Sequence, residues 1–418
     1  MNKGLVLFVI FFASMIGLKA QLATDSHYSR FGLGDFYYQG NPVYNSLAGA
    51  VTGLSDPKII NPSNPASYTS FLSKSFLLST GGWHQTTRMK NDNLEQLVNH
   101  NGFSHFIMGF PVTKGIGFST GILPFSSIGY NINTLVNNDV LETANYSGDG
   151  GISKIYFGAA YKLLEDLSIG VNASYLFGDL NRRKELIYSD ATFFNSRSNS
   201  KINLRGYYYE LGMIYDKSLN DNEQLSVGVS ANNNSSIGAE KLELIESFRY
   251  VGVLEVAKDT FINLTQRGTI NLPKKISAGI SYRKDKKWLL LANYSTQDWT
   301  NYEMFNEKND LVMCQSFAGG IEYTPDYNSL TKYYKRINYR FGVSYKETPL
   351  ELNTNQIKEM SISFGFGLPF RRSGTKYDFS CTLGERGTIE NNLIEEKFIR
   401  IGVNISYNDI WFLKQKYD

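Results

Sequence analysis

From Ser75 to near its end, the chain alternates apolar and polar residues with a period of two. The clearest run is DLSIGVNASYLFGDL, residues 166–180. Leu167, Ile169, Val171, Ala173, Tyr175 and Phe177 share one face of an extended chain. Ser168, Gly170, Asn172, Ser174 and Gly178 share the other, with Leu176 the exception. Successive strand side chains point to opposite faces. A long apolar face opposed by Gly, Ser and Asn therefore fits a strand between lipid and a polar lumen. The pattern recurs in EQLSVGVSAN, KKISAGISY, INYRFGVSY, MSISFGFGLPF and FIRIGVNISY. In all, the runs predict fourteen strands, near 74–87, 102–112, 115–126, 152–163, 166–179, 203–216, 223–233, 274–283, 287–297, 313–324, 336–346, 357–370, 375–384 and 397–407.

The connections give an independent signal. Short links at Thr113-Lys114, Leu164-Glu165, 217–222, KDK (284–286) and RRSG (371–374) mostly alternate with long ones, among them 127–151, 180–202 and 234–273. Outer-membrane barrels have short periplasmic turns and long extracellular loops, and an even strand number returns the chain to the periplasmic side. One connection, PDYNSLTKYYK (325–335), is long for a periplasmic turn. The expectation is an all-β protein, an antiparallel transmembrane β-barrel of fourteen strands over 73–407, with 408–418 as a short periplasmic tail.

The N-terminus sets the compartment. MNKGLVLFVIFFASMIGLKA has Lys3, an apolar run from Leu5 to Ile16 and small residues up to Ala20. This is the layout of a cleaved secretory signal peptide over 1–20. Export and a barrel together predict the outer membrane of a Gram-negative bacterium. Residues 21–72 differ from everything after them. Four of the ten prolines lie between Pro42 and Pro65, and NPSNPASY (61–68) carries two Asn-Pro pairs. Proline fixes φ and pushes the preceding residue toward extended conformations, so neither a helix nor a ladder can follow that path. The segment is too aromatic for a disordered tail and could be ordered inside a wide barrel.

Composition narrows the chemistry. Charged residues are 19% and aromatics 14%, with 37 glycines; mean hydropathy is −0.28. No internal stretch approaches a spanning helix, and no basic block suggests nucleic acid. Cys314 and Cys381 fall three strands apart, about 14 Å at the usual strand spacing, so both are expected as free thiols. His27, His84, His100 and His105 show no metal-ligand spacing; His100 and His105 are expected to be solvated at the end of the first extracellular loop. GFSTG (117–121) matches G-x-S-x-G but lies in an alternating strand with no helix after it, so it is no nucleophile elbow. No cofactor, metal site or enzymatic constellation is expected. Aromatics cluster at predicted strand ends (Tyr207 to Tyr209, Trp288, Trp299, Tyr302, Tyr333, Tyr334, Trp411 and Phe412), as membrane-interface girdles would. By parity Lys154, Glu210 and Arg340 face inward. They are expected to pair with one another or with Arg30, Asp35 and Asp56; contact with a ligand's polar head group is the alternative.

A signal peptide, about fifty irregular residues ending in Asn64-Pro65-Ala66, the opening YSRFGLGD (28–35) and fourteen strands together resemble the FadL-type (FadL/TodX) outer-membrane transporters of hydrophobic compounds. The resemblance implies that 21–72 form a hatch inside the barrel, with Asn64, Pro65 and Ala66 as its motif. It also implies substrate leaving sideways into the membrane through a kink in the third strand. Gly121, Pro124 and Gly129 are the candidates for that kink, and a proline at a finished strand end is the plainer reading.

Two functions follow. One is passive uptake of small hydrophobic molecules, fatty-acid-like or aromatic, captured first by loops 180–202 and 234–273; the polar run LNRRK (180–184) does not suit a greasy capture site. The other is a non-transporting barrel subunit of an outer-membrane protein secretion or assembly complex. The expected partners are outer-membrane lipid, a hydrophobic ligand or other outer-membrane proteins.

Overall fold

The computed structural model describes residues 24, 26–36, 41–92, 94–135, 141–190, 192–252, 254–370 and 374–410. Its strands are β1 (Asp35–Phe36), β2 (Ser75–Lys90), β3 (Glu95–Thr113), β4 (Ile116–Leu135), β5 (Leu141–Lys162), β6 (Leu167–Tyr188), β7 (Asn195–Asn220), β8 (Glu223–Asn232), β9 (Ser235–Val251), β10 (Leu254–Leu272), β11 (Lys275–Lys284), β12 (Trp288–Asp298), β13 (Glu303–Met304), β14 (Glu307–Lys308), β15 (Met313–Tyr323), β16 (Asn338–Leu352), β17 (Asn355–Pro369), β18 (Lys376–Arg386) and β19 (Glu395–Ile410). Fourteen of these, β2 to β8, β11, β12 and β15 to β19, form an antiparallel ring closed by the pairing of β19 with β2. The fourteen-strand barrel read from the alternation is the fold observed.

The alternation also divides the wall's two faces. On β6, Ile169, Val171 and Tyr175 are exposed on the outside, while Ser168, Asn172 and Ser174 are buried inside. Ile399, Ile401 and Val403 on β19 and Phe341 and Val343 on β16 continue the outer apolar belt. Among the described residues no helix is long and apolar enough to cross a membrane.

The N-terminal segment runs along the inner wall. It contains one short helix, α1 (Pro42–Ser46), and 3-10 turns at His27–Arg30 and Pro65–Ser70. Asn41 caps α1, accepting from Val43 N at 2.8 Å. Val43, Tyr44, Leu47, Val51 and Leu54 pack with Leu289 and Leu291 of β12. Ile60, Tyr68 and Phe71 pack with Leu77, Ile107, Tyr156 and Ala160 on β2, β3 and β5. The segment lies so close that inward glycines are required. A Cβ on Gly117 would come within 2.0 Å of the Tyr68 carbonyl oxygen, and one on Gly228 within 2.2 Å of that of Thr52. The small lumen-facing residues thus have a specific cause, backbone-to-backbone approach.

Several boundaries differ from the sequence reading. Spans 127–151 and 180–202, expected as loops, are mostly strand: β4 to β7 run 20, 22, 22 and 26 residues. About 9–11 residues suffice to cross a membrane, so this side of the barrel stands well above the rest. The expected loop 234–273 is the hairpin β9–β10, and β9 extends the sheet by pairing with the upper part of β7. At 347–356 the expected loop shrinks to a two-residue turn, Asn353-Thr354, both at positive φ. β19 runs on to Ile410, into the expected tail. The expected signal peptide, the rest of the expected tail with Trp411 and Phe412, and Arg371 to Ser373 of the RRSG turn lie outside the described residues. Cys314 and Cys381 are free thiols.

Trp299 and Tyr302 do not join a membrane girdle. They are buried, with Phe305, Leu33, Ile128, Leu180, Ile202, Ile237 and Ile270, in an apolar cluster at the tall end of the barrel. Tyr208 also turns inward, whereas Tyr207, Tyr209, Trp288, Tyr333 and Tyr334 are exposed.

Candidate functional site: the lumen and the parted wall

β4 changes its allegiance half-way along. It pairs with β3 only from Ile116 to Ile122. Its pairing with β5 continues from Ile116 to Leu135, with a bulge between Pro124 and Ser126. Proline carries no N–H to continue a ladder. Past the bulge the in-out alternation stops, and Ser126, Ser127, Ile128, Gly129 and Tyr130 are all buried. Beyond Ile122 β4 has parted from β3 while staying on β5. Pro124 sits inside a strand, opposite Ser153 of β5, and two residues past the last pairing with β3. Gly121 belongs to the last paired stretch, where a Cβ would meet the Phe106 carbonyl oxygen at 2.3 Å.

The edge freed on β4 is occupied by the chain's own N-terminal segment. Asp35 and Phe36 pair with Ser127 and Ser126. Ser26 N donates to Gly129 O at 2.8 Å. Ser29 Oγ donates to the same oxygen at 2.9 Å, and Gly129 N donates to Ser29 Oγ at 3.1 Å. A Cβ on Gly129 would overlap Thr24 O.

Asn64, Pro65 and Ala66 lie together further along the segment. Asn64 caps the 3-10 turn, its Oδ1 accepting from Ala66 N at 3.2 Å, with Pro65 as the first residue of the turn. Its Nδ2 donates to Thr52 O at 2.8 Å and reaches Met213 O and Val229 O at 3.2 and 3.4 Å. One amide thus ties the segment to itself and to β7 and β8.

The three inward charges do not form one site. Lys154 and Glu210 pair at 2.8 Å. Arg340, fully buried, holds Glu322 at 2.6 Å and Asp378 at 2.8 Å elsewhere in the lumen. None of the three pairs with Arg30, Asp35 or Asp56. Those residues find other partners: Arg30 lies over the rings of Phe31 and Tyr146, Asp56 pairs with Arg283 at 2.8 Å, and Asp35 pairs with Arg386 at 2.9 Å. Burial pushes the Asp56 carboxyl up, but Arg283 and the Lys58 backbone N–H outweigh it and hold it below the usual carboxylate range. Arg386 also reaches Glu396 and Ser26, both at 2.5 Å. Arg386 escaped the sequence reading because its strand was ended two residues early, at 384; continued parity would have placed it inside.

A cavity of about 340 Å³ remains between the segment and the wall. Its charged lining includes Lys154, Glu210, Lys275, Arg386, Glu396 and Arg400, with Trp83, Tyr208 and Phe36 beside them. His100 and His105 line it too. They are buried, contrary to the solvated positions expected: β3 begins at Glu95, and a bulge at Ser104 shifts the alternation so that both His100 and His105 face inward. His105 hydrogen-bonds Ser79 at 2.9 Å and Ser104 at 2.8 Å. Among the described residues no cluster of His, Cys, Asp or Glu could hold a metal ion.

A closed fourteen-strand barrel, an N-terminal segment folded into it and a third barrel strand parted from its neighbour define the fold class of the FadL-type outer-membrane channels. The chain itself belongs to the BamG family, whose model matches residues 1–418. Among solved structures it is similar to the toluene transporter TbuX of Ralstonia pickettii, at 13% identity and a TM-score of 0.60, covering 88% of this chain and 97% of that one. The toluene transporter TodX of Pseudomonas putida is similar at 14% identity and 0.57, covering 88% and 98%. A FadL homologue of Pseudomonas aeruginosa is similar at 9% identity and 0.57, covering 89% and 98%. No curated protein matches the sequence. At these identities the likeness is one of fold.

Proposed function

We propose that this BamG-family barrel is a non-transporting subunit of an outer-membrane protein assembly or secretion complex, with residues 21–72 acting as a hatch that seals it. The observation that carries this reading is the state of the lumen. Sites for small apolar ligands are lined mainly by hydrophobic side chains with a few polar ones. Here the remaining space is lined mostly by polar side chains, Ser, Thr, Asn and Gln with lysines, arginines and glutamates among them, although Trp83, Phe125, Tyr208, Leu272 and Trp299 line it too. The sideways gap is filled by Asp35, Phe36 and the residues around Ser26, and the tall end is packed with Trp299, Tyr302 and Phe305. A hydrophobic solute would have to displace all three.

Uptake of hydrophobic molecules is the second reading, and the parting of β4 from β3 beyond Ile122 favours it. TbuX and TodX, which share the fold, are toluene transporters. In that reading Gly121, Pro124 and Gly129 frame a lateral exit that the N-terminal segment opens and closes.

A flux assay separates the two. Vesicles carrying the purified barrel should take up toluene or oleate no faster than vesicles without protein. Saturable uptake that Pro124→Val abolishes would establish the transport reading instead.

A further inference from the structure

β10 is the last strand of the tall side, and one of its edges is open. It pairs with β9 along its length. On its other side only Ile270 and Asn271 are paired, with Met304 and Glu303 of β13, and Thr269 O accepts from Phe305 N at 3.0 Å. The chain then turns away at Phe305 and Asn306, both at positive φ. Among the described residues nothing pairs with this edge from Leu254 to Arg267, and every residue in that stretch is exposed. Phe261 is 67% exposed and Leu264 54%. Bulges at Lys258 and Phe261 confine the regular part to Ile262–Arg267, the length of an ordinary strand. There Ile262 and Leu264 point to one face, and Asn263, Thr265 and Arg267 to the other.

We propose that this edge docks an amphipathic β-strand of a partner protein, added beside β10 with its apolar side chains next to Ile262 and Leu264. The proposal rests on the partner-subunit reading and names the surface that would do it. An open edge offers a row of unpaired N–H and C=O groups that a strand satisfies. β13 already shows the mode, since it adds two residues to the base of this edge before the chain veers off. Lipid cannot cover it. Leu264 is level, through Glu243 and Ser200, with Arg182 on β6, seven residues beyond Tyr175 of the apolar belt, roughly 23 Å along the strand. Nor does a second copy fit. Two barrels upright in one membrane present β10 running the same way, whereas one edge pairing with itself across a two-fold axis must run antiparallel.

The test uses the full barrel in detergent and, as probe, an eight-residue peptide of alternating Val and Thr with Lys at each end. We expect amide exchange of the edge groups between Ile262 and Arg267 to slow at least tenfold on peptide addition. The effect should vanish with a Pro-interrupted peptide, and in an Ile262→Lys, Leu264→Lys double variant whose β9 exchange is unchanged. No slowing, equal slowing by the Pro-interrupted peptide, or slowing that needs only a higher barrel concentration would overturn the proposal. Such a failure would leave the assembly reading intact, because that reading is tested by copurification of a partner with the unmodified barrel.

Discussion

Arg340 shows how this lumen treats charge. Its side chain has no exposed surface and bridges Glu322 and Asp378, and Asp378 also accepts from Asn404 at 3.2 Å. Removing one member of a buried pair strands the others, which costs about 3–5 kcal/mol. Arg340→Leu should therefore lower the temperature at which the barrel unfolds on heated gels, and Arg340→Lys should recover part of the loss. Asp56 gives a pH prediction. Its folded pKa lies below the ordinary value of 3.8 because of Arg283. The stability it contributes is present above that value and disappears as pH falls through the lower, folded one. Protease cutting of the N-terminal segment should rise as pH drops below about 4, and Asp56→Asn should show the higher cutting at neutral pH with a flatter profile. The inward direction of Lys154, Glu210 and Arg340 was legible from parity alone. The pairing of Lys154 with Glu210 was among those expected; the partners of Arg340 were not, because parity fixes the face of a strand but not the register that sets Glu322 of β15 beside it and brings Asp378 of β18 within reach.

At the scale of elements, the N-terminal segment and the parted wall make one unit. The segment depends on glycines that let backbones touch. Gly228→Val would set a side chain where Thr52 O now lies and should expose residues 41–72 to protease while the barrel still closes. If the cutting pattern is unchanged, the close contact does not hold the segment. β4 gives a second test. If Pro124 ends the β3–β4 ladder, Pro124→Val should slow amide exchange at Phe103, Ser104 and His105, and unchanged exchange would assign the parting to the N-terminal segment instead. Strand number was readable because lipid enforces a strict apolar-polar alternation. Strand length was not. Above the membrane, runs such as Asn181-Arg182-Arg183-Lys184-Glu185 are polar on both faces, yet they pair residue for residue with β5 and β7. Outside lipid a hydrogen-bonded ladder leaves no periodic signature. The same limit hid Trp299 and Tyr302, whose position at strand ends suggested a girdle when they in fact pack an apolar cluster.

At the scale of the whole molecule, a belt of exposed Ile, Val, Phe and Tyr surrounds an interior of small polar residues and ion pairs. That contrast is the one a lipid-spanning barrel requires. The fold is shared with hydrophobic-compound channels, while the family is BamG. As proposed, this barrel is closed by its own segment and works through other proteins. The most direct measurement is native mass spectrometry of the barrel isolated in mild detergent from its own membrane. A stoichiometric protein partner and no hydrophobic molecule in the lumen are the expected result. A barrel that runs alone with a bound hydrophobic molecule would contradict it.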